Sequence, residues 1–583
     1  MKKTLTFLLL FLFTNSYSNF TTPGTGKNWD LDSLVAFSGG NVTFSAGNYL
    51  VNDTITIAAS DTIKILTNST MKFGTGVFID INGIMIVNPP DSAKITAQDT
   101  TLKFLGLKFE DLSDGSVLKK LIMEYGNSIR MLDCDILIDS CTIRYNTLNS
   151  AFAASAINFF HSNSTVSNCK IYRNRRAALA GGANIANSGQ ILNNLIYEND
   201  TENANVPQIN WGATASVPMI IRGNTILGSP IMSGGISFLP VGSIPQLIIE
   251  NNVIKKNRYG IAIAGGSSNV YINNNIIDSN NIQGLPNLGG SGINFNGVAT
   301  QRSIVTRNII RGNLWGITIQ GTAKPNLGDL SSPDTTDAGM NEIYNNTNSG
   351  SIFDLYNNTV DSIKAENNYW GTSNLDSIEA HIFHKPDDGS LGFVDYLPIR
   401  SIRINITVLM EGMYDNSLNI LSRKDSVTVY LYNAISPYPL RDSAKAGIDS
   451  LTFSGIFSFT NAPSSQYYLV ADHFNCINTW SKSGGESLVA NGLSTNYDFT
   501  GSASQAFGNN LTLKGSKYCI YSGDVNKNGI VDLGDMSLVD NDAFSLLMGL
   551  RLSSDVNGDN IVDINDLSIV NNNSFNYVEV IRP

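Results

Sequence analysis

Between about residues 100 and 375, apolar and small polar residues alternate over runs of four or five positions and then break at asparagine or glycine. Alternation with a period of two marks a strand, because successive side chains leave an extended backbone on opposite sides. One short phrase recurs: Cys141-Thr-Ile143-Arg-Tyr-Asn146, Cys169-Lys-Ile171-Tyr-Arg-Asn174 and Asn194-Leu-Ile196-Tyr-Glu-Asn199. It continues as Asn252-Val-Ile254-Lys-Lys-Asn257, Asn275-Ile-Ile277-Asp-Ser-Asn280 and Asn308-Ile-Ile310-Arg-Gly-Asn313, with a weaker copy at Asn224-Thr-Ile226. Successive central isoleucines lie 28, 25, 30, 28, 23 and 33 residues apart. A second phrase follows many copies: Ala156-Ile-Asn-Phe159, Gly235-Ile-Ser-Phe238, Gly260-Ile-Ala-Ile263, Gly292-Ile-Asn-Phe295 and Gly316-Ile-Thr-Ile319.

A period in the twenties with short strands and tight turns predicts a solenoid. Each coil carries an inward apolar row that only the next coil can cover, and aligned asparagines can bond along the stack. The shortest step, Ile254 to Ile277, gives a bare coil of 23 residues. Longer steps place projecting loops at Asn281–Ser291 and Thr322–Gly339. Residues 29–100 are strand-rich and supply a cap and first coils over an otherwise open edge. The repeat resembles the right-handed parallel β-helix of the pectin-lyase-like superfamily. Near its end, Glu366-Asn-Asn-Tyr-Trp-Gly-Thr372 is similar to a phrase common in bacterial extracellular β-helix proteins.

From about residue 401 the period is lost. Arg403–Leu409, Ser426–Leu431, Gly455–Phe459 and Tyr467–Val470 still alternate, separated by turn-rich stretches, and predict an antiparallel β-sandwich. Its expected role is a spacer or a sugar-binding module.

The last sixty residues carry an acidic loop written twice, 31 positions apart: Asp524, Asn526, Asn528, Asp532 and Asp535, then Asp555, Asn557, Asp559, Asp563 and Asp566. Oxygen side chains at loop positions 1, 3, 5, 9 and 12 suit a calcium loop of the EF-hand type. Position 6, Gly529 or Asn560, must adopt a left-handed turn. Position 7 offers its carbonyl, leaving the Ile530 and Ile561 side chains free to enter a core. Met536, Val539, Ala543, Phe544 and Leu547 map by the same offset onto Leu567, Val570, Ser574, Phe575 and Val578, one apolar stripe on a helix leaving each loop. Loop plus exiting helix, twice, resembles the dockerin module over roughly 523–580. The resemblance implies two Ca²⁺ ions held by those ten side chains with the Ile530 and Ile561 carbonyls. Dockerins that bind cohesins show a small hydroxyl pair at positions 10 and 11. Here Leu533-Gly534 and Ile564-Asn565 stand there, so the docking partner is expected to be cohesin-like or another cell-surface protein.

A basic start, a short apolar run from Leu5 to Phe13 and Ser16-Tyr-Ser18 predict a secretory signal peptide, hence a secreted or cell-surface protein. No later stretch is long and apolar enough to span a membrane. The expected division is 1–18 signal peptide, 19–100 cap and first coils, 101–400 β-helix, 401–515 sandwich and 516–583 dockerin-like module: mainly β, with a small α tail. Charged residues make up only 15% of the chain, and the net charge of −11 argues against nucleic acid. Five cysteines are too few for a disulfide scaffold. Cys141 and Cys169 hold equivalent places in neighbouring coils and are expected to be stacked, buried and reduced, whereas Cys476 and Cys519 are open to pairing.

For function, the expected ligand is extracellular polysaccharide, bound or processed. Arg144, Arg173, Arg175, Arg176, Lys255, Lys256 and Arg258 collect at turn positions, where a solvated turn or a basic strip for an anionic glycan are the two readings. No carboxylate pair of the kind a glycosidase needs recurs one coil apart. Glu198, Asp200 and Glu202 cluster in one loop, and Asp133, Asp135 and Asp139 alternate in another region. His381 and His384 have metal-ligand spacing without a strong third ligand. Trp211 and Trp315 are either coil packing or sugar platforms, and Trp370 is expected to close the stack. Catalysis, if present, would be that of a polysaccharide lyase or glycoside hydrolase; the alternative is a non-catalytic, adhesin-like structural protein.

Overall fold

The repeated isoleucines become one continuous inward row. Ile143, Ile171, Ile196, Ile226, Ile254, Ile277, Ile310 and Ile343 pair strand to strand in parallel register and are fully buried. Each such side chain gains roughly 1.5–3 kcal/mol from burial, but only because a neighbouring coil lies against it. The Ile343 copy, within Asn341-Glu-Ile343-Tyr-Asn-Asn346, adds a repeat beyond those read from the sequence. The computed structural model describes residues 19–148, 154–241, 246–490, 492 and 494–583, so the expected signal peptide lies outside the described residues.

Two compact units divide at Tyr396 and Leu397. In the first, three stacked sheets of 14, 11 and 13 strands run the length of a parallel β-helix. The first sheet carries the Gly-Ile-x-Phe phrases, with Ile209, Ile236, Ile261, Ile293, Ile317 and Leu355 in register. The third carries the Asn-x-Ile phrases. Coils begin at Phe20–Thr21, and the helix Leu31–Phe37 buries Leu31 and Leu34 at that end. Its start is fixed by Asp30, whose side chain accepts from the Ser33 amide at 2.7 Å.

Two rows of side-chain amides run along the stack. In one, the backbone N–H groups of Cys169, Asn194, Asn224, Asn252, Asn275, Asn308 and Asn341 each donate to the asparagine Oδ1 one coil on, at 2.9–3.0 Å, ending at Asn368. In the other, the backbone N–H groups of Asn257, Asn280 and Asn313 donate likewise and that of Asn346 donates to Asp354, at 2.9–3.2 Å. Ser229 stands where that second row needs an asparagine. Gln208 fills the gap, accepting from Asn199 Nδ2 and donating to Asn257 Oδ1, both at 3.0 Å. Buried turns thereby satisfy polar groups that water cannot reach.

In the second unit two sheets share one core containing Ile404, Phe457, Phe459, Val429, Leu431 and Leu469. One sheet joins 454–459, 402–407 and 494–498; the other is built on 440–448, 425–433 and 465–472. Strand 402–407 pairs in parallel with 494–498, a departure from the all-antiparallel expectation. The long connection between these strands supplies the crossover that a parallel pair requires. The tail follows with helices Leu533–Phe544 and Ile564–Phe575, each opened by a reciprocal cap, Asp532 with Asp535 and Asp563 with Asp566. All five cysteines are free and buried, so Cys476 and Cys519 do not pair. The Cys141 amide points at the Cys169 sulfur, 3.3 Å away.

Candidate functional site

On the outer face of the first sheet, strands 261–265, 291–297, 315–321 and 355–357 bring Ala262, Asn294, Thr318 and Tyr356 into one outward row. The loop beginning at Asn281 rises beside this row and contributes Pro286, Leu288 and Gly289 to the wall of a groove of about 570 Å³. Trp315 donates its indole N–H to the Pro286 carbonyl at 3.2 Å, which ties wall to floor. Its ring lies 5.4 Å from Tyr356 in a stacked arrangement and 4.8 Å from Phe353. Asn294 Nδ2 donates to Thr318 Oγ1 at 2.6 Å, and Ser291 Oγ lies 3.0 Å from the same oxygen. Gln320 and Asn358 add amides at one end. Among the described residues, no Asp, Glu, Lys, Arg or His lines the groove. Burial pushes the Tyr259 phenol up to about 12. The groove offers aromatic surface, hydroxyls and amides, which suit an uncharged polyhydroxylated ligand, and holds no group that would act as a base near neutrality.

Five of the seven residues of the expected basic strip are paired with neighbouring acids. Arg144 places Nε 2.8 Å from Glu124 and Nη1 2.8 Å from the Tyr172 hydroxyl. Arg173 pairs with Glu198 at 2.7 Å, Arg175 and Arg176 with Glu202 at 3.0 and 2.9 Å, and Lys255 with Asp278 at 3.4 Å. Arg258 bonds Gln283. Tyr172 and Tyr197 stack at 4.6 Å and 7°, closing their facing surfaces to a sugar ring. Asp200, the third acid of the Glu198 cluster, is buried and accepts from the Val206 amide at 2.9 Å. Asp133 pairs with His161 at 2.9 Å, Asp135 caps the Asn163 amide at 2.5 Å and Asp139 binds Asn168 at 2.7 Å. His381 and His384 turn apart, the first to Asp354 at 3.2 Å and the second to Glu379 at 3.0 Å. Trp211 and Trp370 are fully packed inside the coils, which makes Trp315 the one of the three that borders open space.

The two C-terminal loops close around buried carboxylates. Asp524 accepts from the amides of Asn528 and Gly529 at 3.1 Å each, while Asp535 accepts from Val525 at 2.9 Å and Asn526 at 3.0 Å. In the second loop Asp566 accepts from Val556 at 2.7 Å and Asn557 at 2.9 Å. Asp524, Asp535, Asp555 and Asp566 are all buried. Burial raises the Asp524 carboxyl and the charge of Asp535 adds to the rise; burial likewise raises Asp566, with Asp555 adding to it. Like charges buried together, with Asn526, Asn528, Asp532, Asn557, Asp559 and Asp563 completing each loop, fit a hard divalent cation bound through oxygen. Among the described residues no three His, Cys, Asp or Glu side chains gather as a metal cluster, although the first loop carries three aspartates and the second four. Ile530 and Ile561 do not enter the core as expected: they are 43% and 37% exposed, and Val531 and Val562, one position on, are buried instead. Neighbours on an extended backbone face opposite ways, and Ile530 and Ile561 lie in short bridges to Glu579 and Met548. The stripe on the helices also holds only in part. Val539 and Val570 are buried, but Phe544 and Phe575 are 93% and 82% exposed.

Residues 120–297 match the family model described as "Right handed beta helix region". The first unit is a right-handed parallel β-helix. Among solved structures, a mutant of the periplasmic alginate epimerase AlgG aligns at 14% identity over 64% of this chain and 83% of its own, with a TM-score of 0.39. The Dettilon tailspike protein aligns at 10% identity over 75% of this chain and 71% of its own, at 0.27. A type II cohesin–X-dockerin complex from Acetivibrio cellulolyticus aligns at 12% identity over 30% of this chain and 99% of its own, at 0.19. Comparison with curated proteins gives no match. Among the described residues no helix is long and apolar enough to cross a membrane.

Proposed function

We propose that this right-handed β-helix is an exported polysaccharide-binding protein, held in place by a calcium-dependent, dockerin-like tail. The observation that carries the reading is the uncharged, aromatic groove at Trp315 and Tyr356. Its volume accommodates a short run of sugar units, and its wall is anchored rather than loose. Binding fits these residues better than chemistry, because no acid–base pair among the described residues lines the groove and five of the seven turn cations are already paired with acids. The tail supports docking. Leu533 and Ile564, Phe544 and Phe575, and Leu546 and Tyr577 are exposed pairs related by the 31-residue offset, so the surface offers the same apolar patch twice. A cohesin-like or other cell-surface protein with an apolar face is the matching partner.

A polysaccharide panel, assayed for binding and for release of reducing ends or unsaturated uronates with and without calcium, tests this. Retention on at least one glycan without product release is expected, and Trp315→Ala should weaken it about tenfold or more, the loss of an aromatic contact worth ~1.5 kcal/mol. Absence of binding across the panel would leave the rigid, adhesin-like stalk as the better reading, which the pairing of most of the outer strip already favours over a lyase.

A further inference from the structure

The two calcium loops are near-copies in sequence, yet the sheets of their unit hold them differently. In the first, Asp524 accepts from amides of its own loop, Asn528 and Gly529. In the second, Asp555 accepts from the loop amides of Gly558 at 2.8 Å, Asp559 at 3.1 Å and Asn560 at 3.1 Å. It also accepts from Nη1 of Arg423 at 2.9 Å. The same Nη1 donates to Asn560 Oδ1 at 3.1 Å. Position 6 has a positive φ in both copies, 90° at Gly529 and 72° at Asn560. Asparagine is the more strained choice there, and its bond to Arg423 is what the glycine could not supply. Arg423 is itself fixed, with Nε 3.2 Å from Asp425 Oδ2 and a side chain only 17% exposed. Beside it Ser422 Oγ donates to the Asn557 carbonyl at 2.8 Å. The first loop has its own cation, Lys527, but that ammonium is engaged by the carbonyls of His473 at 3.0 Å and Cys476 at 2.6 Å and by the Asp472 carboxylate at 2.9 Å.

We infer that Arg423 is a built-in counter-cation of the second loop and makes the two loops unequal, the second binding calcium more weakly than the first. The inference rests on the calcium reading given above. A guanidinium on the position-1 carboxylate takes up one of its lone pairs and repels an arriving dication, while holding the loop in shape before the ion comes. Ligand charge and rigidity tune the affinity of such loops over several decades, so one added charge at a ligand is enough to separate them. The first loop fills at low calcium, and the second responds only as calcium rises.

Calorimetric titration of the intact, calcium-stripped protein tests this. Two sites are expected, with dissociation constants about tenfold or more apart, within the range such loops span. Asp535→Asn disables the first loop and should leave the weaker site; Asp566→Asn disables the second and should leave the tighter one. In the Asp535→Asn background, Arg423→Gln keeps a donor but removes the charge, and should tighten the remaining site by roughly fivefold or more. Asn560→Gly, which removes one anchor of Arg423 at a position glycine suits, should act in the same direction by a smaller factor and stands in if Arg423→Gln fails to fold. Equal constants in the two single-loop variants, or an unchanged constant in a folded Arg423→Gln protein, overturn the inference and leave the calcium reading intact. A protein that takes up no calcium overturns both.

Discussion

Asp425 is buried among Arg423, Arg551 and His473, and accepts from the Ser426 amide at 2.7 Å. Burial works to raise its pKa, but His473, the Ser426 N–H and Arg551 outweigh it and hold the carboxyl well below the usual range. A depressed folded pKa stabilises the native state above the unfolded value of about 3.9, and that contribution is lost as pH falls toward the folded one. Asp425→Asn should therefore cost about 1.5–3 kcal/mol in denaturant unfolding at pH 7 by removing a buried charged partner of Arg423 and Arg551, with the gap to wild type closing in acid. Burial also pushes the thiols of Cys476 and Cys519 up to about 12. Iodoacetamide at pH 8 should leave all five cysteines of the native protein unlabelled and modify them once it is denatured. Individual residues were legible in sequence where backbone geometry alone decides, as at Gly529 and Asn560. They were not where packing decides: whether Ile530 or Val531 faces the core depends on bridges to distant segments, and the guanidinium on Asp555 comes from a bend more than a hundred residues away.

Among the elements, the coil is the clearest case of sequence dictating structure, since one phrase fixes an inward isoleucine and a turn asparagine together. Asn275 shows what the turn contributes. It accepts from the Asn252 amide at 2.9 Å and donates to the carbonyls of Ile249 at 2.9 Å and Asn273 at 3.0 Å. Asn275→Ala leaves those buried groups without partners and should destabilise the first unit by about 2–4 kcal/mol, read from its unfolding midpoint. The row also shows where pattern reading stops. Ser229 breaks the phrase, and the side chain that repairs it, Gln208, lies in a loop with no repeat signal. The groove was hidden for a similar reason. Trp315 is visible as a tryptophan, but its partners Pro286, Phe353 and Tyr356 come from loops and strands whose spacing carries no period.

At the scale of the whole molecule, two compact units imply two melts. On the proposed reading, calcium binds only the folded tail, raises the stability of Leu397–Pro583 by RT ln(1 + [Ca²⁺]/Kd) and leaves the β-helix untouched. Differential scanning calorimetry with and without chelator should move one transition and not the other; two transitions shifting together, or neither, would refute the assignment. The order of solenoid, sheets and acidic loops could be read along the chain because each has its own period. The tie between the sheets and the second loop could not, because single side chains such as Arg423 and Ser422 make it. The asparagine row carries a consequence for how such a chain changes length. Every amide passes its bond to a neighbour exactly one turn of the solenoid away, whether the intervening segment is 23 residues or 33. Lengthening a loop leaves that succession intact, and removing a whole turn shortens it by one link. Cutting a turn in half breaks it, so this molecule can grow or shrink only in whole steps.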